Sequence, residues 1–212
     1  CALGLATPMS IMVGVGRGAR EGVLIRNAEA LERMESVDTL VIDKTGTLTE
    51  GKPKLTDFQL APGFSGVAEQ ELLGLVAGLE MASEHPLAAA IVAAARDKGL
   101  TLDKPEQFDS ASGIGVRGTV GGKGLALGNT ALMDQQGIDV TALAGEAEAL
   151  RARGASVMHL AVDQQLAGLL AVSDPIKTTT PDALATLKRA GLRVVMATGD
   201  GLTTARAVGQ QL

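Results

Sequence analysis

Apolar positions along this chain recur at two spacings, and the spacing separates its helices from its strands. Residues 2–15 are almost wholly uncharged and are followed at once by Arg17 and Arg20. The run is shorter than the ~20 apolar residues a bilayer-spanning helix needs. Two arginines at its end nevertheless fit the cytoplasmic end of a membrane segment; a buried helix of a soluble domain is the alternative. Over 20–37, Ile25, Ala28, Leu31 and Met34 and the acidic Glu29, Glu32 and Glu35 recur at helical spacing, which predicts an amphipathic helix. Residues 39–42 are a short apolar run suited to a buried parallel strand, and 193–197 are another apolar run. Between them the pattern predicts helices over 67–83 and 86–98, with Gly99 just past the second. Short β runs follow at 115–120 and 124–127, then a helix over 142–153, then a hairpin of 156–162 and 166–172 around Asp163-Gln164-Gln165. A helix over 178–190 stops at Gly191.

Strand, loop and helix thus recur on both sides of a long insertion, so one sheet is assembled from two separated pieces. The predicted fold is an α/β domain interrupted by an α+β domain. Gly51, Pro53, Pro62 and Gly63 punctuate the entry to the insertion, which has the size of a small domain. The expected division is 1–16 as the end of a transmembrane helix and 17–36 as a stalk helix. Residues 37–51 and 172–212 then form the two parts of the α/β domain, and 52–171 the insertion.

Composition removes several function classes. The 212 residues are 46% hydrophobic and 20% charged with a net charge of -5, which excludes a disordered tail and argues against non-specific nucleic-acid binding. The one cysteine excludes an intrachain disulfide framework and a cysteine-based zinc module. With no Trp or Tyr, bases have no aromatic platform to stack on. The first residues, Cys1-Ala2-Leu3-Gly4, lack an initiating Met and a basic n-region, so the chain is expected to be a piece of something longer.

Chemistry enters at the end of the run 39–42, which delivers Asp43 and then Lys44-Thr45-Gly46-Thr47-Leu48-Thr49. A carboxylate at the C-terminal end of a parallel strand sits where open α/β sheets bind ligands. The glycine and small hydroxyl residues after it let backbone N–H groups approach an anion. An Asp so placed can attack a phosphoryl group and form an acyl phosphate. An Asp after a strand is common, and Thr198-Gly199-Asp200 after 193–197 is alone a weak turn motif. The whole string 43–49, however, resembles the phosphorylation motif of P-type ATPases, which build on the haloacid-dehalogenase fold, and Thr198-Gly199-Asp200 resembles that family's second phosphate-contact motif. The resemblance implies that Asp43 accepts the γ-phosphate of ATP. It makes Lys44 and Thr45 helpers that hold phosphate, with Asp43 and Thr45 also holding Mg²⁺, and it places Thr198, Gly199 and Asp200 in the catalytic site. Related phosphatases carry a second Asp two positions after the nucleophile. Thr45 stands there in this chain, which by the family's logic slows attack by water and lets the phosphoenzyme persist.

Ser83-Glu84-His85-Pro86 places an imidazole at the start of a predicted helix. A lone His there is ordinarily a cap or a surface residue. The string nonetheless resembles the nucleotide-domain signature of the heavy-metal P-type ATPases, which implies that His85 and, five residues earlier, Glu80 contact adenine. Residues 113–118 satisfy the dinucleotide pattern Gly-x-Gly-x-x-Gly, yet a β-type stretch follows where a helix is required. By resemblance, Gly113 and Gly115 let adenine approach the backbone, and Gly128-Asn129 is a further nucleotide contact. Asp174-Pro175-Ile176-Lys177 is similar to a segment near the nucleotide, adding Asp174 and Lys177. No Gly-x-x-x-x-Gly-Lys-Ser/Thr string exists, which excludes P-loop chemistry. His159 lies in an alternating run and is read as a strand residue without a role.

Residues 1–8, Cys1 to Pro8, resemble the end of the membrane Cys-Pro-Cys region of copper-type pumps. A thiolate is a soft ligand that suits Cu(I) or Ag(I), so the resemblance makes Cys1 a metal ligand whose partners lie outside this chain. Free cysteine alone is more commonly a small buried hydrophobe. The resemblance thus implies an ATP-driven exporter of Cu⁺ that uses ATP and Mg²⁺, integral to the membrane, with this segment mostly cytoplasmic. The alternatives are a silver, zinc or cadmium pump of the same family, a soluble dehalogenase-superfamily phosphatase, and a non-catalytic nucleotide-sensing module. The family's actuator domain and Gly-Asp-Gly-x-Asn-Asp segment are not among these residues. The segment alone is therefore expected to bind nucleotide but to autophosphorylate poorly and not to transport.

Overall fold

The computed structural model describes residues 2–212. Its contacts divide the chain into two units, one holding the residues up to Val41 with Ala183–Val195, the other Ile42–Asp182 with Met196–Leu212.

In the first unit, α1 (Ala2–Arg20) leaves Leu5, Met9, Met12 and Val13 exposed. Among the described residues, no helix is long and apolar enough to cross a membrane. The helix expected over 20–37 is shorter. Gly22 turns left-handed at φ 80, and Val23 N donates to Gly18 O at 2.8 Å, a glycine-type stop that satisfies an end carbonyl. Helix α2 (Ala28–Glu35) starts afresh on Asn27, whose side chain accepts from Ala30 N at 2.9 Å. Arg193 N donates to Asp38 O at 2.8 Å, and just beyond, β1 (Thr39–Asp43) pairs with β8 (Arg193–Ala197) in a two-stranded sheet. Val41 is 70% exposed, unlike the buried strand expected, because β8 is the one strand beside β1 among the described residues. Helix α7 (Thr180–Arg189) precedes β8.

The second unit is built on a six-stranded antiparallel sheet. Its strands are β2 (Lys54–Leu60), β3 (Glu106–Ala111), β4 (Gly115–Val120), β5 (Lys123–Gly128), β6 (Ser156–Val162) and β7 (Gln165–Ser173), in the order β2-β7-β6-β5-β4-β3. Both faces are covered, as the unbroken run of buried residues 167–172 along β7 requires. Leu170 and Val172 join Leu72, Val76 and Leu79 of α3 (Glu69–Glu80) and Ile91 of α4 (Pro86–Asp97). Leu169 and Ala171 face the other way, onto Ala147 and Leu150 of α6 (Ala144–Ala152). Helix α5 (Thr130–Gln135) covers Ala126 and Ala161 on that side. Helix α8 (Leu202–Gln211) contacts α6.

The elements β2, β3, α5 and α8 had no prediction. β2 carries a register shift between Leu55 and Asp57 that breaks its alternation. The edge strand β3 holds Gln107 at φ 51 and Phe108 as its one large apolar residue. Helix α5 has 6 residues, too few to show a period.

Candidate functional site

β1 ends on the exposed carboxylate of Asp43, and the chain then winds through residues 44–48. Thr45 (φ -74, ψ 123) and Gly46 (φ 76, ψ -12) leave the helical region, and only glycine takes the latter without strain. The segment 174–180 clasps this loop from behind. Asp174 accepts from Thr49 Oγ1 at 2.6 Å, from Lys52 N at 3.0 Å and from Gly51 N at 3.2 Å. Lys177 Nζ donates to Gly46 O at 2.6 Å, and the buried Thr180 hydroxyl donates to Leu48 O at 2.8 Å. Two backbone bonds, Glu50 N to Pro175 O at 2.8 Å and Lys177 N to Leu48 O at 3.1 Å, complete a neck where the chain enters and leaves the six-stranded sheet. Asp174 and Lys177, expected beside the nucleotide, are bound here to the loop that follows Asp43.

Lys44 points the opposite way from solvent. It is 7% exposed, and its ammonium forms an ion pair and hydrogen bond with Asp200 Oδ2. Its positive charge is here engaged by Asp200. Thr198 Oγ1 donates to the same Asp200 oxygen at 3.0 Å and accepts from Asp200 N at 3.1 Å. Ser156 Oγ donates to the other oxygen at 2.9 Å. Burial alone would raise the Asp200 pKa. The Lys44 ammonium, with the Ser156 and Thr198 hydroxyls, outweighs it and holds the carboxyl below its ordinary range. Gly199, between Thr198 and Asp200, is exposed, and a Cβ there would meet nothing within 4 Å.

Glu80 and His85 line one cleft of about 540 Å³ between the end of α3 and α4, together with Ser83, Val92 and Arg96. His85 is the N-cap of α4, its Nδ1 accepting from Leu87 N at 3.2 Å. A neutral ring with Nδ1 as acceptor carries its proton on Nε2, so the cap fixes the tautomer offered to a ligand. Glu80 is 5% exposed, and its Oε2 has no hydrogen-bond partner. Burial raises its pKa, and the Ser83 hydrogen bond only partly offsets that. An aromatic amine would complete such a group.

Gly113, Gly115, Gly128 and Asn129 do not line this cleft. Gly115 and Gly128 are partners in the β4–β5 ladder, and a Cβ on Gly128 would lie 2.4 Å from Ile114 O, so the close approach of two backbones explains both. Asn129 caps α5, accepting from Leu132 N at 3.2 Å and donating to Gly113 O at 2.9 Å. Gly113 has open space where a Cβ would stand. His159 is 1% exposed in β6, with its pKa lowered by burial and by Arg151, consistent with a strand residue. Cys1 lies outside the described residues. Sequence reasoning gave no role to Thr49, which closes the string 43–49, and missed Ser156 and Thr180, which belong to no local pattern.

Residues 37–212 match the sequence profile of the haloacid dehalogenase-like hydrolases. Over 208 residues the chain is 56% identical to a copper-exporting P-type ATPase of Legionella pneumophila, covering 98% of this chain and 28% of that protein. It is 52% identical to a silver exporting P-type ATPase of Salmonella typhimurium, over 100% of this chain and 25% of that protein. Among solved structures, a zinc-transporting PIB-type ATPase in its E2.Pi state superposes with a TM-score of 0.71 at 32% identity, over 100% of this chain and 34% of that one. The chain thus spans 25–28% of the length of these curated relatives.

Proposed function

Because this chain belongs to the haloacid dehalogenase-like hydrolase family, in its heavy-metal P-type ATPase branch, we propose that it is the nucleotide-binding and phosphoryl-accepting part of a pump that exports monovalent copper. The observation that carries this reading is the exposed Asp43 carboxylate at the end of β1, on a loop held by Asp174, Lys177 and Thr180. A nucleophile on a fixed support meets the phosphoryl group without reorganising.

In the proposed step, a carboxylate oxygen of Asp43 attacks the γ-phosphorus of ATP. The bond from that phosphorus to the bridging oxygen breaks, and ADP leaves with the electron pair. Glu80 and His85 hold the adenine in their cleft, with Gly113 open beside β4. Thr198 and the Gly199 backbone lie on the turn that brings Asp200 to Lys44. Mg²⁺ fits the exposed, hard Asp43 carboxylate, with Thr45 two residues on. Asp43 and Thr45 would hold the ion, to which carboxylate and hydroxyl oxygens are suited as hard ligands. When bound, it neutralises charge on the transferring phosphate. The transported ion is Cu⁺ or its soft congener Ag⁺, with Cys1 among its ligands and the pump integral to a membrane.

The test is acid-stable phosphorylation from γ-labelled ATP in the complete pump, with Cu(I), Ag(I) and Zn(II) as stimulants. Label that appears with Cu(I) and disappears in Asp43→Asn supports the reading. Label retained in Asp43→Asn would refute the nucleophile, and stimulation by Zn(II) alone would refute the cargo.

A further inference from the structure

Ser156 opens β6, a strand of the sheet that carries the Glu80–His85 cleft on its helices, yet its hydroxyl reaches Asp200 Oδ1 at 2.9 Å. The other Asp200 oxygen holds the Lys44 ammonium and the Thr198 hydroxyl. Asp200 is thus gripped from two directions, by the residue after Asp43 and by the inserted sheet. A second bond turns the contact into a seam: Thr204 Oγ1, near the start of α8, donates to Ala155 O at 2.9 Å with both groups buried. Gly154, at φ 88, lets the α6–β6 turn come so close that a Cβ there would lie 3.3 Å from Val208 Cγ2.

With partners on Oδ2 alone, a carboxylate turns easily about its last torsion, which is a broad two-fold rotor. The Ser156 bond to Oδ1 fixes the plane. Lys44 is buried and ion-paired to Asp200, so the Asp200 plane sets where the Lys44 side chain rests. Asp43 is its covalent neighbour. Building on the proposal that Asp43 is the nucleophile, we infer that Ser156 is a positioning residue for phosphoryl transfer: through Asp200 and Lys44 it holds the Asp43 backbone in the attacking orientation. It also makes the place of the inserted sheet felt at the phosphoryl site. Ser156 touches neither phosphate nor the attacking oxygen, and no proton moves through it. Its effect therefore belongs to the rate of transfer and not to the affinity for ATP.

The experiment compares Ser156→Ala, Ser156→Thr and Thr204→Val in the complete pump, measuring ATP affinity, thermal stability and the rate of phosphoenzyme formation at saturating ATP. Loss of one hydrogen bond to a charged group predicts a rate about tenfold lower in Ser156→Ala, with ATP affinity unchanged. Ser156→Thr keeps the donor and restores the rate. Thr204→Val breaks the neighbouring seam bond without touching Asp200 and leaves the rate near wild type. An unchanged rate in Ser156→Ala, or an equal slowing in Thr204→Val, would make Ser156 a mere strut and overturn the inference. If Ser156→Ala does not fold, Ser156→Cys, nearly isosteric with a weaker donor, must slow transfer by itself. Asp43→Asn run alongside separates the two readings, since phosphoenzyme surviving there overturns the nucleophile whatever Ser156 does.

Discussion

Glu80 is a carboxyl whose apo environment works against its charge. It is buried, one oxygen has no partner, and burial raises its pKa. A raised carboxyl contributes stability that is present below its unfolded pKa and is lost as pH rises through the folded value. Glu80→Gln should therefore be more stable than wild type at pH 7, by about 1–3 kcal/mol, the usual cost of an unsatisfied buried group. The advantage should shrink towards pH 4, where both side chains are neutral, and thermal melts across pH 4–8 check it. ATP affinity should fall in the same variant, the trade expected of a strained binding group. Asp200 has the opposite sign: its lowered carboxyl supplies stability at neutral pH that disappears as acid protonates it and releases Lys44. The residues legible in sequence were those whose chemistry demands fixed neighbours, such as Asp43 with Lys44 and Thr45, or His85 with Pro86. Ser156 was not legible because its partner is 44 residues away, nor was the role of Thr49, whose partner is 125 away. Anchoring a distant group leaves no local pattern.

At the scale of elements, strands β4 and β6 begin and end where alternation placed them, over 115–120 and 156–162. Helices α3, α4 and α6 end within a few residues of their predicted limits. Alternation failed at β2 and β3, where a register shift or a left-handed residue interrupts the pleat. The helix pattern over 20–37 failed because periodicity does not register a glycine stop. The glycines of 113–128 divide once elements are known, because Gly115 and Gly128 face each other across a ladder. Gly128→Ala should cost about 1–3 kcal/mol, as overpacking does, with ATP affinity and stability lost together. Gly113→Ala meets no atom and should leave the ladder intact, but at φ 72 it carries a backbone cost of about 1 kcal/mol. If it weakens ATP binding by more than that cost explains, the open side of that turn belongs to the nucleotide site. Titration calorimetry beside thermal melts distinguishes the two.

For the whole molecule, the neck joins the loop that follows Asp43 to the chain leaving the inserted sheet, with the Asp174 carboxylate at its centre. Asp174→Ala removes one acceptor from two backbone N–H groups and a hydroxyl. It should destabilise the fold by about 2–3 kcal/mol, the scale of hydrogen bonds to a charged group. Phosphoenzyme formation should fall while isolated nucleotide affinity holds, because the cleft of Glu80 and His85 has no bond to Asp174. Loss of nucleotide affinity in this variant would show that the neck also shapes the cleft. The division of the chain at 52 and 171, read from a change of pattern, corresponds in the proposed pump to the parts that hold ATP and receive its phosphate.

Lys54 and Ser173 are paired across the β2–β7 ladder, which puts the two ends of the inserted sheet within about 5 Å of each other. A polypeptide whose entrance and exit coincide is a cassette. Its two ends can be joined by a tight turn, but a replacement of similar footprint must also supply the hydroxyl that Ser156 gives Asp200. Such a cassette can change the side chains of its cleft, which in the proposed pump meet the nucleotide, while the residues at its seam with Asp200 stay fixed.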